Sequence, residues 1–366
     1  MIAIATALFL MLFDRGASHR IVHASPSTIS DENANKPGAN DWDITGAGDP
    51  DIQGFATDIS VNLGDTVHFK IAAPGAAAYQ LKIYRLGYYH GFGATLVATV
   101  TPTATLPQSQ PACINQITTT GLIDCGTWNE SASWTVPATA VSGIYIAKPT
   151  RTDNGHASHI VFIVRDDSRT ADVVFQTSDT TWQAYNQYPG VSSNPPGASL
   201  YCGGPLSNEG SAYLRSCATR AAKVSYNRPF DTRAHDPQSW LFNAEYPMVR
   251  WLEANGYDVK YQSGVDTDRR AFDLTGAHRP KIFLSVGHDE YWSGGQRKAV
   301  ENARNAGVNL AFLSGNEMYW KTRYEPSLDG SGTGYRTLVS YKETIANAKI
   351  DPAIDPVTGV PIWTGT

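Results

Sequence analysis

The spacing of apolar residues changes once along this chain, at Arg165-Asp166-Asp167-Ser168, and that change constrains the fold more than any motif does. Before it lie short alternating runs cut by Gly, Pro and Asn: Ile59-Ser60-Val61, Thr66 to Ile71, Tyr79 to Arg85, Ser133 to Val136, Gly143 to Ala147 and Ser158 to Val164. About seven strands with no helical period predict an antiparallel β-sandwich of the Ig-like kind. After it, apolar strands alternate with helical segments. Asp172 to Thr177, Tyr257 to Tyr261, Lys281 to Val286 and Val308 to Leu313 read as strands, Ala244 to Asn255 and Gly294 to Ala306 as helices. That alternation predicts βαβ units around a mostly parallel sheet, a three-layer α/β domain with its ligand site beyond the carboxyl ends of the strands.

The expected organisation is a signal peptide over 1–24, a linker over 25–41, the sandwich over 42–166 and the α/β domain over 167–366. Ile2 to Phe13 is an apolar run too short to span a bilayer, and Val22-His23-Ala24 offers small residues before a cleavage point. Ser25 to Asn40 holds little to bury. A secreted protein with no membrane span follows. The four cysteines lie as two local pairs, Cys113 with Cys125 and Cys202 with Cys217, without metal or redox spacing, and read as two loop-closing disulfides in an oxidising compartment. With 29 Lys+Arg against 34 Asp+Glu and no basic run, no nucleic-acid partner is expected. The aromatic stretch Tyr84-Arg85-Leu86-Gly87-Tyr88-Tyr89 is expected to pack against the neighbouring domain rather than to bind a ligand.

Polar residues gather at three strand ends: Ser178 to Asn186, Gly287-His288-Asp289-Glu290-Tyr291-Trp292 and Ser314-Gly315-Asn316-Glu317. His288 and Glu290 are two apart, so on an extended strand end they face one way, with Asp289 opposed. One His with carboxylates suits iron, manganese or zinc, while hydrogen-bonded loop residues are the simpler reading. A second His could come only from the fold, with His235 the candidate. No Gly-x-Ser-x-Gly elbow, His-Glu-x-x-His, phosphate loop or Gly-x-Gly-x-x-Gly occurs.

Four stretches, Thr177 to Asn186, Val224-Ser225-Tyr226-Asn227-Arg228-Pro229-Phe230, Ser285 to Trp292 and Leu313 to Glu317, resemble the catalytic domain of the N,N-dimethylformamidase large-subunit family. The resemblance runs from roughly residue 170 to the end. It implies a glutamine-amidotransferase-like α/β fold, hydrolysis of the C–N bond of a small amide, and a mononuclear ferric iron site, zinc being the less favoured metal. Carried over by position, Tyr185, Tyr226 and Glu290 are the metal ligands, with His288 and Asn316 as catalytic neighbours. A trivalent ion can hold a phenol deprotonated although its free pKa is near 10. Tyr291, Trp292, Trp182 and Trp320 are expected to wall the pocket. The family's chain continues past the position of Thr366, where a further acidic residue assists, and the known amidase has a small partner subunit. An oligomer or a missing carboxyl-terminal segment is therefore expected. The alternative reading is a secreted carbohydrate- or protein-binding module with an inactive α/β domain.

Overall fold

The computed structural model describes residues 28–46, 48–190, 193–194, 196–201, 220–233, 241–345 and 348–366. The expected signal peptide, the Cys202–Cys217 pair and His235 lie outside the described residues.

Ten strands come first: β1 (Gln53–Ala56), β2 (Ser60–Asn62), β3 (Thr66–Ala72), β4 (Tyr79–Leu86), β5 (Ala94–Val100), β6 (Ile114–Gln116), β7 (Leu122–Asp124), β8 (Ala132–Thr135), β9 (Gly143–Arg151) and β10 (Ile160–Arg165). They form a three-stranded sheet, β1-β3-β8, a five-stranded sheet, β2-β10-β9-β4-β5, and the hairpin β6-β7. Alternation along β3 sends Val67, Phe69 and Ile71 inward to meet Leu81, Ile83, Tyr145, Ala147 and Phe162 of the other sheet in one cluster. All pairings are antiparallel except β2 with β10, which is parallel. Cys113 and Cys125 form a disulfide that closes the β6-β7 hairpin.

The second half holds β11 (Val173–Thr177), α2 (Asp179–Tyr185), β12 (Lys223–Ser225), a π-helical turn (Leu241–Glu245), α3 (Tyr246–Ala254), β13 (Val259–Ser263), α4 (Gly264–Arg269), β14 (Ile282–Gly287), β15 (Tyr291–Ser293), α5 (Gly294–Asn305), β16 (Asn309–Ser314), β17 (Trp320–Glu325) and β18 (Thr337–Val339); α1 is the helix Thr28–Asn35. Strands β13-β11-β14-β16 form a wholly parallel sheet, as their apolar runs predict. A second four-stranded sheet, β12-β18-β17-β15, was not foreseen. Three of its strands, β12, β15 and β18, are three residues long, too short to show a period. Among the described residues no helix is long and apolar enough to cross a membrane.

Two expectations need correction. The stretch read as a linker contains α1, because its few useful side chains find tertiary partners: Ile29 is fully buried, and Asn33 donates to Glu253 at 2.8 Å while accepting from the backbone N–H groups of Tyr88 and Tyr89. The Ser178 to Asn186 segment, read as a strand-end loop, is largely the helix α2, buried on every side. Beside the sandwich's own core, a second apolar cluster crosses between the halves: Tyr84, Leu86, Ile144, Ile146 and Ile163 share it with Phe175, Tyr246 and Val259. The Tyr84–Tyr89 stretch packs into that junction, with Tyr84 and Tyr89 fully buried.

Candidate active site

The site is assembled where β11 and β14 end. Beyond β11 the chain turns directly into α2, which carries Asp179 at its start and Tyr185 at its end. Beyond β14, Gly287 adopts φ +88°, a region that disfavours a side chain, and an added Cβ would lie 3.1 Å from that of Ala244. This turn passes the chain from the parallel sheet into β15 of the second sheet, leaving His288, Asp289 and Glu290 at the crossing.

The three residues part as alternation predicts. Asp289 turns back toward the parallel sheet and accepts from Gln176 at 2.6 Å and Ser285 at 2.9 Å. Glu290 turns the other way. Its Oε2 accepts from the Tyr185 hydroxyl at 2.9 Å, its Oε1 from Trp320 Nε1 at 3.1 Å, and its backbone N–H donates to Thr181 Oγ1 at 2.9 Å. His288 Nε2 stands 3.7 Å from Glu290 Oε2. Burial raises the Glu290 carboxyl pKa, opposed by the charge of Lys342 and by the bonds from Tyr185 and Trp320. Burial lowers that of His288, which favours the neutral imidazole.

Of the five residues singled out in the sequence, Tyr185, His288 and Glu290 are therefore brought together. Asn316 is exposed, in the left-handed conformation at φ +54° that Asn tolerates. It follows Gly315, whose added Cβ would lie 3.7 Å from His288 Nδ1. Tyr226 is placed differently. Its hydroxyl donates to Asp179 Oδ2 at 2.8 Å, while Asp179 Oδ1 accepts from the Gly264 N–H. Burial raises Asp179 to about 6.

Sequence reasoning missed Lys342. It is 2% exposed, its Nζ donates to Tyr291 Oη at 2.6 Å, and it lies 4.4 Å from the Trp320 ring centroid and 4.9 Å from those of Tyr201 and Tyr291. Such contacts attract a cation to the ring faces. No motif marks this lysine, which sits after a three-residue strand, so only the fold discloses it. Tyr201 also stacks on Tyr185 with centroids 4.5 Å apart. Tyr291 and Trp320 do wall the Glu290 region, but Trp292 packs with Phe283 and Val300 against α5, and Trp182 donates to Glu245 at 2.8 Å.

The donor set can be tested against the expected metal. Among the described residues no group of three or more His, Cys, Asp or Glu side chains is placed to hold an ion. A phenol and a carboxylate nevertheless meet at Glu290 Oε2, with an imidazole nitrogen beside them, and two oxygens of this kind suit a hard cation. Tyr185 and Glu290 fit that role. Tyr226 fits it less well, being bonded to Asp179.

No curated protein matches the chain. The sequence model of one family, described as N,N-dimethylformamidase beta subunit-like, C-terminal, matches residues 80–365. The match begins in β4, well before the motifs that carry the resemblance, so it takes in most of the sandwich and the shared core as well as the α/β half. With so much of its length inside that match, the chain belongs to the N,N-dimethylformamidase beta subunit-like family.

Proposed function

We propose that this protein hydrolyses the C–N bond of a small amide at the Tyr185–His288–Glu290 cluster. The family's name points to amide hydrolysis. The observation that carries the reading is the convergence of the Tyr185 hydroxyl and His288 Nε2 on one buried carboxylate oxygen of Glu290. A buried phenol and carboxylate meeting a half-buried imidazole beyond the ends of parallel strands are groups placed for proton transfer to a bound substrate.

In this reading neutral His288 accepts a proton from the attacking water and returns it to the leaving amine. Asn316, one residue beyond the glycine that faces His288, orients the amide and donates to its carbonyl oxygen as charge develops there. Lys342, whose pKa burial pushes down to about 7 against the pull of Glu290, adds positive charge beside Glu290 when protonated. Iron, with zinc as the less favoured metal, would be held by Tyr185 and Glu290, with Tyr226 as the third oxygen implied by the family. When bound it would supply a Lewis acid. The Cys113–Cys125 disulfide supports a secreted, oxidising location.

Metal analysis combined with an amide screen tests the proposal. About one iron per chain, a visible phenolate-to-iron band that disappears in Tyr185→Phe, and release of amine from small amides are expected. Protein that stays metal-free after expression in iron-replete medium and releases no amine would overturn it.

A further inference from the structure

A second concavity lies away from this cluster. A cleft of about 710 Å³ opens between the β2 end of the sandwich and the Ser327–Thr333 loop that follows β17. Its lining includes neither Tyr185, His288 nor Glu290. The volume is that of a small-molecule site, roughly 300–1,000 Å³.

The cations that line it differ in how they are neutralised; Lys70, at its rim, donates to the Gly126 carbonyl. Arg165 and Arg269 share Asp266 at 3.3 and 2.9 Å, and Arg269 also meets Asp58 at 3.1 Å. Arg270 pairs with Asp167 and Asp273. Arg336 is only 4% exposed, yet among the described residues no carboxylate stands within ion-pair distance of it. Its Nε donates to Asn227 Oδ1 at 2.7 Å and its Nη2 to the carbonyls of Ala56 and Tyr226 at 2.8 and 3.2 Å. These are neutral acceptors, and among the described residues none accepts from Nη1. A guanidinium carries five donors and strongly favours a carboxylate or other oxyanion. Asp58 and Asp124 act on its charge without reaching ion-pair distance, so a ligand carboxylate would supply the direct partner it lacks.

The rest of the lining narrows the ligand. Ser327, Ser331 and Thr333 supply hydroxyls, with Ser331 Oγ and Thr333 Oγ1 2.8 Å apart. Asp58, Asp65 and Asp329 also line the cleft, which disfavours a polyanion while offering acceptors to ligand hydroxyls. We propose that the cleft binds a hydroxyl-rich small molecule bearing a single carboxylate, of the size of an acidic disaccharide, with Arg336 taking the carboxylate and the Ser327–Thr333 loop the hydroxyls. The site is separate from the amide-hydrolysing cluster and does not depend on that activity.

Isothermal titration of the whole chain with cellobiouronate, against neutral cellobiose and sodium sulfate, tests this. One cellobiouronate per chain is expected, bound at least about tenfold more tightly than cellobiose, with a similar loss in Arg336→Gln, since a charge-assisted bond is removed in each case. Because Arg336 also holds backbone carbonyls, Ser331→Ala with Thr333→Val serves as the second variant, expected to weaken binding several-fold without altering the melting temperature. Absence of cellobiouronate binding, equal binding of cellobiose, or sulfate binding that cellobiouronate does not displace would each overturn the proposal. So would affinity unchanged in the second variant.

Discussion

Arg85 in β4 and Glu253 in α3 form a doubly hydrogen-bonded ion pair, at 2.8 and 3.0 Å, with both side chains fully buried at the junction of the sandwich and the α/β half. Asn33 and Tyr261 also donate to Glu253, and the Ser142 carbonyl accepts from Arg85, so the pair is embedded in a satisfied network. Breaking such a pair from one side leaves an unpaired buried charge, at about 3–5 kcal/mol. Arg85→Met alone should therefore destabilise the chain by that order in urea denaturation. The double variant Arg85→Met with Glu253→Leu should lose clearly less than the sum of the two single changes; strict additivity would show that the pair is not coupled.

Glu245 predicts the pH response of the α3 entry. It is fully buried, accepts from Trp182 and Ser178, and its carboxyl is pushed up by burial to about 8. The folded chain thus keeps a proton that the unfolded chain releases near 4.5. Its contribution to stability is present below that value and lost as pH rises toward 8. Glu245→Gln should gain roughly 3 kcal/mol over the native chain on going from pH 5 to pH 8. Parallel stability curves for the two proteins would exclude this assignment.

His159 works in the opposite sense. It is buried between Trp42 O and Thr232 Oγ1, both at 2.8 Å, and burial lowers its pKa to about 4. Between about 6.5 and 4 the unfolded chain binds a proton that the folded chain refuses, so stability falls as pH falls through that window. From pH 7 to pH 5 the residue should remove about 2 kcal/mol. Denaturation of His159→Asn at the two pH values should show that much less acid sensitivity than the native chain.

Lys342 bears on the proposed reaction. Its ammonium opposes the upward push of burial on Glu290, so Lys342→Met should raise the Glu290 pKa further. The acid limb of the profile of kcat/KM against pH should move to higher pH, and kcat should fall on the order of 100-fold, the scale of removing one preorganised polar group from a buried site. An unmoved acid limb would take Lys342 out of the electrostatics of this site.

The order of elements was legible in the sequence wherever burial imposes a period. The alternation in β3 and β4, the apolar runs of β11, β13, β14 and β16, and the helical spacing of α3 and α5 all appear where those patterns place them. Alternation also separated Asp289 from Glu290, and the crossing at Gly287 delivers both as expected. Short elements were not legible, because three or four residues carry no period: β12, β15 and β18 form their sheet only by pairing with distant partners.

The sequence by itself determined the change from a β-rich half to an α/β half, the parallel sheet and the strand end on which His288 and Glu290 sit, since each follows from local patterning and the polarity of strand ends. Only the tertiary structure decided what those side chains meet. It joined Tyr185 to Glu290 across 105 positions, committed Tyr226 to Asp179, set Lys342 among three rings and buried Arg336 among neutral acceptors. The reason is physical: a buried polar group must find a partner within about 3 Å, and long-range packing, which no local period records, determines which partner is there.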